Sequence, residues 1–112
     1  MEMQHSDLGN VRKIVLTGRL DTAGVDLIET RFGASIVPAG RNTVVDISHV
    51  TFLASMGIRM LIATTRSLGR KGGKIALYGA TPAVREVIDT VALTDIIPLA
   101  ESEDEAIGLV AG

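Results

Sequence analysis

Apolar residues follow two rhythms along this chain. "VRKIVLTGRL" (Val11 to Leu20) is β-rich, and the turn-like "LGN" before it makes "EMQHS" the first arm of a hairpin. Behind Asp21 or Thr22 as N-cap, Val25, Ile28, Phe32 and Ile36 then recur at helical spacing. "NTVVDIS" (Asn42 to Ser48) returns to strand composition, with a second, very short strand at "VTF". After Ser55, the residues Ile58, Leu61, Ile62, Thr65 and Leu68 share one helical face, and the helix stops at the glycines of "GRKGGK".

"KIALYGA" (Lys74 to Ala80) reads as another strand. "TPAVREVIDTVAL" follows with Thr81 as N-cap, Pro82 at the first helical position, and Val84, Val87, Ile88 and Val91 as a buried stripe. A short extended piece, "DIIPLA", leads to a last helix, where Ser102 and Glu105 have capping-box spacing. Strands and helices that alternate after a hairpin predict an α/β fold. Its mixed sheet has parallel pairs, right-handed crossovers and about four flanking helices. No repeat or linker divides the chain, so residues 1–112 are expected to form one domain.

Composition narrows the chemistry. With 46% hydrophobic residues but only one Tyr, two Phe and no Trp, the core must be aliphatic. The absence of cysteine excludes disulfides and thiolate metal sites. No apolar run approaches the ~20 residues of a membrane span, and "MEMQHSDLGN" has neither a basic segment nor an apolar core of a secretory signal. The expectation is a cytoplasmic protein without direct membrane insertion. A net charge of −2 argues against broad nucleic-acid binding.

Candidate catalytic patterns fail on spacing. "GRKGGK" lacks the glycine five before Gly73, carries Ile75 where a phosphate loop needs Ser or Thr, and runs helix to strand rather than strand to helix. It reads as a glycine C-cap, and Arg66, Arg70, Lys71 and Lys74 as solvated surface, with contact to an acidic partner as the alternative. A nucleophile elbow at Ser55 would need a glycine at Leu53. His5 and His49 are too isolated to serve as base or metal ligands, so no cofactor, no metal and no enzyme is expected.

What remains is Ser55 itself, read as an N-cap, with Gly57 in the first helical turn at a cost of up to ~1 kcal/mol against alanine. A plain cap beside a tight crossing explains both residues. So does a close approach by a partner to an unshielded hydroxyl.

The segments "TGRLD" (Thr17 to Asp21), "VVDISHVTFLASMGIRML" (Val44 to Leu61), "GGKIALYGATPAVREVID" (Gly72 to Asp89) and "TDIIPLAESEDEAI" together resemble a STAS domain of the anti-sigma factor antagonist type. In that family a D-S-[ST]-G-like motif follows a hydrophobic strand, and a partner kinase phosphorylates its first serine. The resemblance implies Ser55 as acceptor, Gly57 as motif glycine, and Asp21 of the "G-x-L-D" turn beside them on the partner surface. Ala54 stands where the family has aspartate, and Met56 where it has a small hydroxyl residue; Met56 would enlarge the apolar contact. Arg59, one turn beyond Ser55, would face the phosphate or a partner carboxylate, or stand in a surface salt bridge.

The implied partner is an anti-sigma factor serine kinase, with a phosphatase to reset the switch. The alternatives are an unphosphorylated STAS scaffold subunit of a transporter or signalling complex, which Ala54 favours, and an enzyme or ligand sensor using Asp21, Asp46 and Ser55.

Overall fold

A computed structural model describes residues 1–111. The chain builds β1 (Glu2–Leu8), β2 (Val11–Leu20), α1 (Thr22–Ile36), β3 (Thr43–Leu53), α2 (Ser55–Gly69), β4 (Ile75–Tyr78), α3 (Pro82–Thr90), a 3-10 turn (Leu93–Asp95), β5 (Leu99–Ala100) and α4 (Glu103–Val110). The five strands lie side by side in chain order; β1 and β2 are antiparallel and every later pair is parallel. Gly9, at φ 63°, supplies the left-handed backbone that the two-residue link of the first hairpin needs.

Because strand order follows chain order, right-handed crossovers return α1, α2 and α3 to one face of the sheet. There Val25, Ile28, Phe32 and Ile36 of α1, Met60, Leu61 and Leu68 of α2, and Val84 and Ile88 of α3 pack with Ile14, Leu16, Val45, Ile47, Ile75 and Leu77. The pleat sends the alternate residues Val44, Ala76 and Tyr78 to the other face, where Ala106 and Val110 of α4 cover them. β4 is covered on both sides, and all four of its residues are buried. On the α4 face, β1 and the end of β2 stay open, with Glu2, Gln4, Ser6 and Thr17 exposed. Among the described residues no helix is long and apolar enough to cross a membrane.

Two sequence expectations change and one open alternative is decided. "NTVVDIS" and "VTF" are one strand, β3, rather than two. Its first residues pair with both β2 and β4 and are buried on both faces; beyond Asp46 it pairs with β2 alone and buries only Ile47, Val50 and Leu53. That change of burial in mid-strand breaks the apolar rhythm. α3 stops at Thr90 because Ala92 turns to a left-handed φ of 54°, which leaves Val91 on the surface. Asp21, not Thr22, caps α1.

A polar clasp ties α4 to the sheet. Lys13 Nζ lies 2.5 Å from Glu103 Oε2, and the Tyr78 hydroxyl donates to the same oxygen at 2.9 Å. The Lys13 bond first, then the Tyr78 bond, holds the Glu103 carboxyl below its ordinary value of 4.5. Burial, then the bond to Glu103, pushes the Tyr78 phenol well above its usual range.

A depressed carboxyl stabilises the fold at pH above its unfolded value, and that contribution is lost as pH falls through the folded value. Glu103→Gln is therefore expected to flatten the acid limb of stability. Denaturant unfolding between neutral pH and pH values below 4.5 checks this; parallel losses in variant and wild type would contradict it.

Candidate functional site

Leu20 and Leu53, the last residues of β2 and β3, are paired in register. The residues that follow, Asp21 and Ala54, therefore leave the sheet side by side, and the Ala54 N–H donates to the Leu20 carbonyl at 3.0 Å. Both α1 and α2 start from this point.

Asp21 is committed to α1. Its Oδ1 accepts the Gly24 N–H at 2.9 Å, and its Oδ2 accepts from Arg19 Nε at 3.2 Å. The Gly24 amide first, then Arg19, lowers its pKa. Arg19 also lies over the Phe52 ring, 4.4 Å from its centroid, across the β2–β3 pair. Asp21, Arg19 and the 42% exposed Phe52 thus form one surface cluster at the strand ends. Phe52 was not legible as a site residue because "VTF" reads as a separate strand. Its register opposite Arg19 appears only once β3 is continuous.

α2 starts differently. Its N-cap is Ala54, which has no side chain to accept a hydrogen bond, and Ser55 is the first helical residue. The reading of Ser55 as N-cap is corrected by one position. The Ser55 side chain is exposed, and the N–H groups of the first turn have no side-chain cap. Such an end accommodates an anion, because uncapped amides and the helix dipole both favour negative charge.

Gly57 is buried, and a Cβ there would fall 2.7 Å from both the carbonyl oxygen and Cγ of Leu20. The close approach that it permits is made by β2 of the same chain. The expectation that it leaves space for a partner beside the hydroxyl is corrected accordingly. Met56 is half-buried and packs against the core, so only part of it reaches the surface.

The buried face of α2 is Gly57, Met60, Leu61, Thr64 and Leu68. Compared with the expected stripe it is turned toward α1, because contact at Gly57 pulls that side of the helix onto Leu20. Ile58 and Ile62, expected to point inward, are half-buried. Arg59 is exposed and stands in no ion pair among the described residues, so its reading as a surface salt bridge fails.

A strand exit capped by aspartate, an exposed serine at an uncapped helix start and a five-stranded mixed sheet define the class. Residues 3–106 match the STAS domain, and the chain belongs to that family. It is similar to the anti-sigma F factor antagonist of Paenibacillus polymyxa, at 24% identity over 108 residues, covering 96% of this chain and 91% of the relative. Among solved structures, an anti-sigma factor antagonist from Mycobacterium paratuberculosis aligns with a TM-score of 0.89 at 28% identity, over 99% of this chain and 94% of the other. The anti-sigma factor antagonist SpoIIAA in its unphosphorylated form aligns with a TM-score of 0.76 at 23% identity, over 96% and 95%.

Gly57→Val is expected to destabilise the fold by about 1–3 kcal/mol, since a β-branched side chain overpacks against a backbone carbonyl that has little room to move. Ser55→Ala removes no cap bond and is expected to stay within about 0.5 kcal/mol of wild type. Denaturant unfolding of both variants checks the pair. A fully stable Gly57→Val would contradict the packing account.

Proposed function

We propose that this protein is an anti-sigma factor antagonist that binds an anti-sigma factor serine kinase through the surface around Asp21 and the start of α2, and that phosphorylation of Ser55 ends the binding. The exposed position of Ser55 in the first turn of α2 carries this reading. A kinase reaches the hydroxyl without unfolding anything. The names of the relatives supply the partner class: the protein most like this chain among those above is itself an anti-sigma factor antagonist. Bacillus SpoIIAA is known in a phosphorylated form as well as an unphosphorylated one.

The energetics of such a switch are asymmetric. A phosphoserine adds about −1.5 to −2 charges. At the uncapped start of α2 the dipole and free amides favour it by roughly 1 kcal/mol, so the free protein stays folded. Within a packed interface the same group must be desolvated or must face like charge, at a cost of several kcal/mol. Every ~1.4 kcal/mol is tenfold in affinity, so the interface term dominates. Ala54 removes a carboxylate from beside the acceptor, which relieves like-charge repulsion of the phosphate. It also alters the motif a kinase reads, and that is the feature favouring the alternative, an unphosphorylated STAS scaffold subunit.

Incubation with ATP and the cognate anti-sigma factor kinase is expected to raise the intact mass by one phosphate, and Ser55→Ala is expected to show no increase. Ser55→Asp is expected to weaken kinase binding by at least about tenfold with little change in melting temperature. Stable kinase binding without any phosphate on Ser55 would favour the scaffold, and full affinity in Ser55→Asp would contradict the switch.

A further inference from the structure

Opposite its buried face, α2 carries a shallow open groove of about 360 Å³ lined by Ser55, Ile58, Arg59, Ile62, Ala63 and Arg66. Its floor is apolar, and its charge is of one sign. The only ionisable side chains of α2 are Arg59 and Arg66, in a chain whose net charge is −2.

Both arginines are exposed, and among the described residues neither makes a side-chain hydrogen bond or ion pair. Arg12, Lys13, Arg19, Arg41 and Arg85 are each paired with a carboxylate. Glu29 of α1 lines a different cleft, with Met60, Ala63, Thr64 and Ser67. The helix dipole accounts for Arg66 in the last turn but opposes Arg59 near the first. The two guanidinium groups stem from positions two helical turns apart, roughly 10 Å along the axis, with Ile62 between them.

We infer that this groove docks an acidic amphipathic segment of the partner: two carboxylates about two turns apart on Arg59 and Arg66, with apolar side chains between them on Ile58 and Ile62. The inference rests on the reading of Ser55 as the switch and explains the sign of its effect. Ser55 precedes Arg59 by four residues, the spacing at which helical side chains meet. A phosphate on Ser55 therefore takes Arg59 for itself and repels the incoming carboxylates. An acidic segment is released; a basic one would be held more tightly.

Two measurements test this. The first titrates the 15N-labelled full chain with a synthetic amphipathic helix carrying two glutamates two turns apart around leucines, and with the same helix in which glutamine replaces glutamate. The glutamate helix is expected to shift the amides of Ile58, Ile62 and Arg66, and the glutamine helix to leave them in place. Arg66→Glu is expected to abolish the shifts. Absence of shifts, or equal shifts with both helices, would overturn the groove.

The second compares wild type, Arg66→Glu and Ser55→Asp in binding the cognate anti-sigma factor kinase. Arg66→Glu is expected to lose roughly tenfold in affinity, more at low salt than at high, with unchanged melting. Wild-type affinity in Arg66→Glu beside lost binding in Ser55→Asp would overturn the groove and leave the switch standing. Response to the glutamate helix without any binding of the kinase would uphold the groove and remove the switch.

Discussion

Backbone contact between the end of β2 and the starts of two helices, with no side chain between them, is the constraint on which the rest depends. Gly24 and Gly57 each occupy the third position of their helix. A Cβ would lie 2.0 Å from the Arg19 carbonyl oxygen at the first and 2.7 Å from the Leu20 carbonyl oxygen at the second. Each glycine weakens its helix by up to ~1 kcal/mol relative to alanine. The return is a fixed seat for α1 and α2 on adjacent carbonyls of one strand. At that seat Asp21 caps α1 and the Ala54 amide bonds to Leu20, while the first-turn amides of α2 have no side-chain cap.

Everything proposed for the surface follows from this placement. With Gly57 held inward, Ser55 comes out at the first turn, and Arg59 and Arg66 fall on the outward side of α2 with the half-buried Ile62 between them. The helix cannot rotate to hide them without driving its backbone into β2. A charge added at Ser55 therefore changes what the surface offers while the interior stays as it was. The clasp of Lys13, Tyr78 and Glu103 fixes α4 on the opposite face of the sheet, with its own dependence on pH.

The sequence made much of the interior legible and less of the surface. Val25, Ile28, Phe32 and Ile36 sit where their spacing puts them, because α1 is an amphipathic helix with one buried side. α2 is less readable: its half-buried Ile58 and Ile62 carry as strong an apolar signal as its buried Met60 and Thr64, and the glycine contact that decides between them is made with a residue far away in the chain. β3 reads as two strands because burial on two faces and burial on one leave different patterns in a single strand. Ser55 reads as the cap because small polar residues usually cap; here Ala54 holds that place, and a missing side chain leaves no signal. Arg19 and Phe52 meet only through a cross-strand register that includes two bulges, which no local pattern encodes.

The proposed switch acts on the surface and leaves the seat beneath it in place. Its most direct test is the 1H-15N spectrum of the full chain with phosphoserine installed at position 55, compared with the unmodified protein. Changes are expected to be confined to the first turns of α2, through Arg59, and to the neighbouring Asp21, with β2, β3 and the core amides unmoved. Shifts spreading through Leu20, Leu53 and the length of α1 would contradict it, because they would mean that the phosphate acts by rearranging the fold.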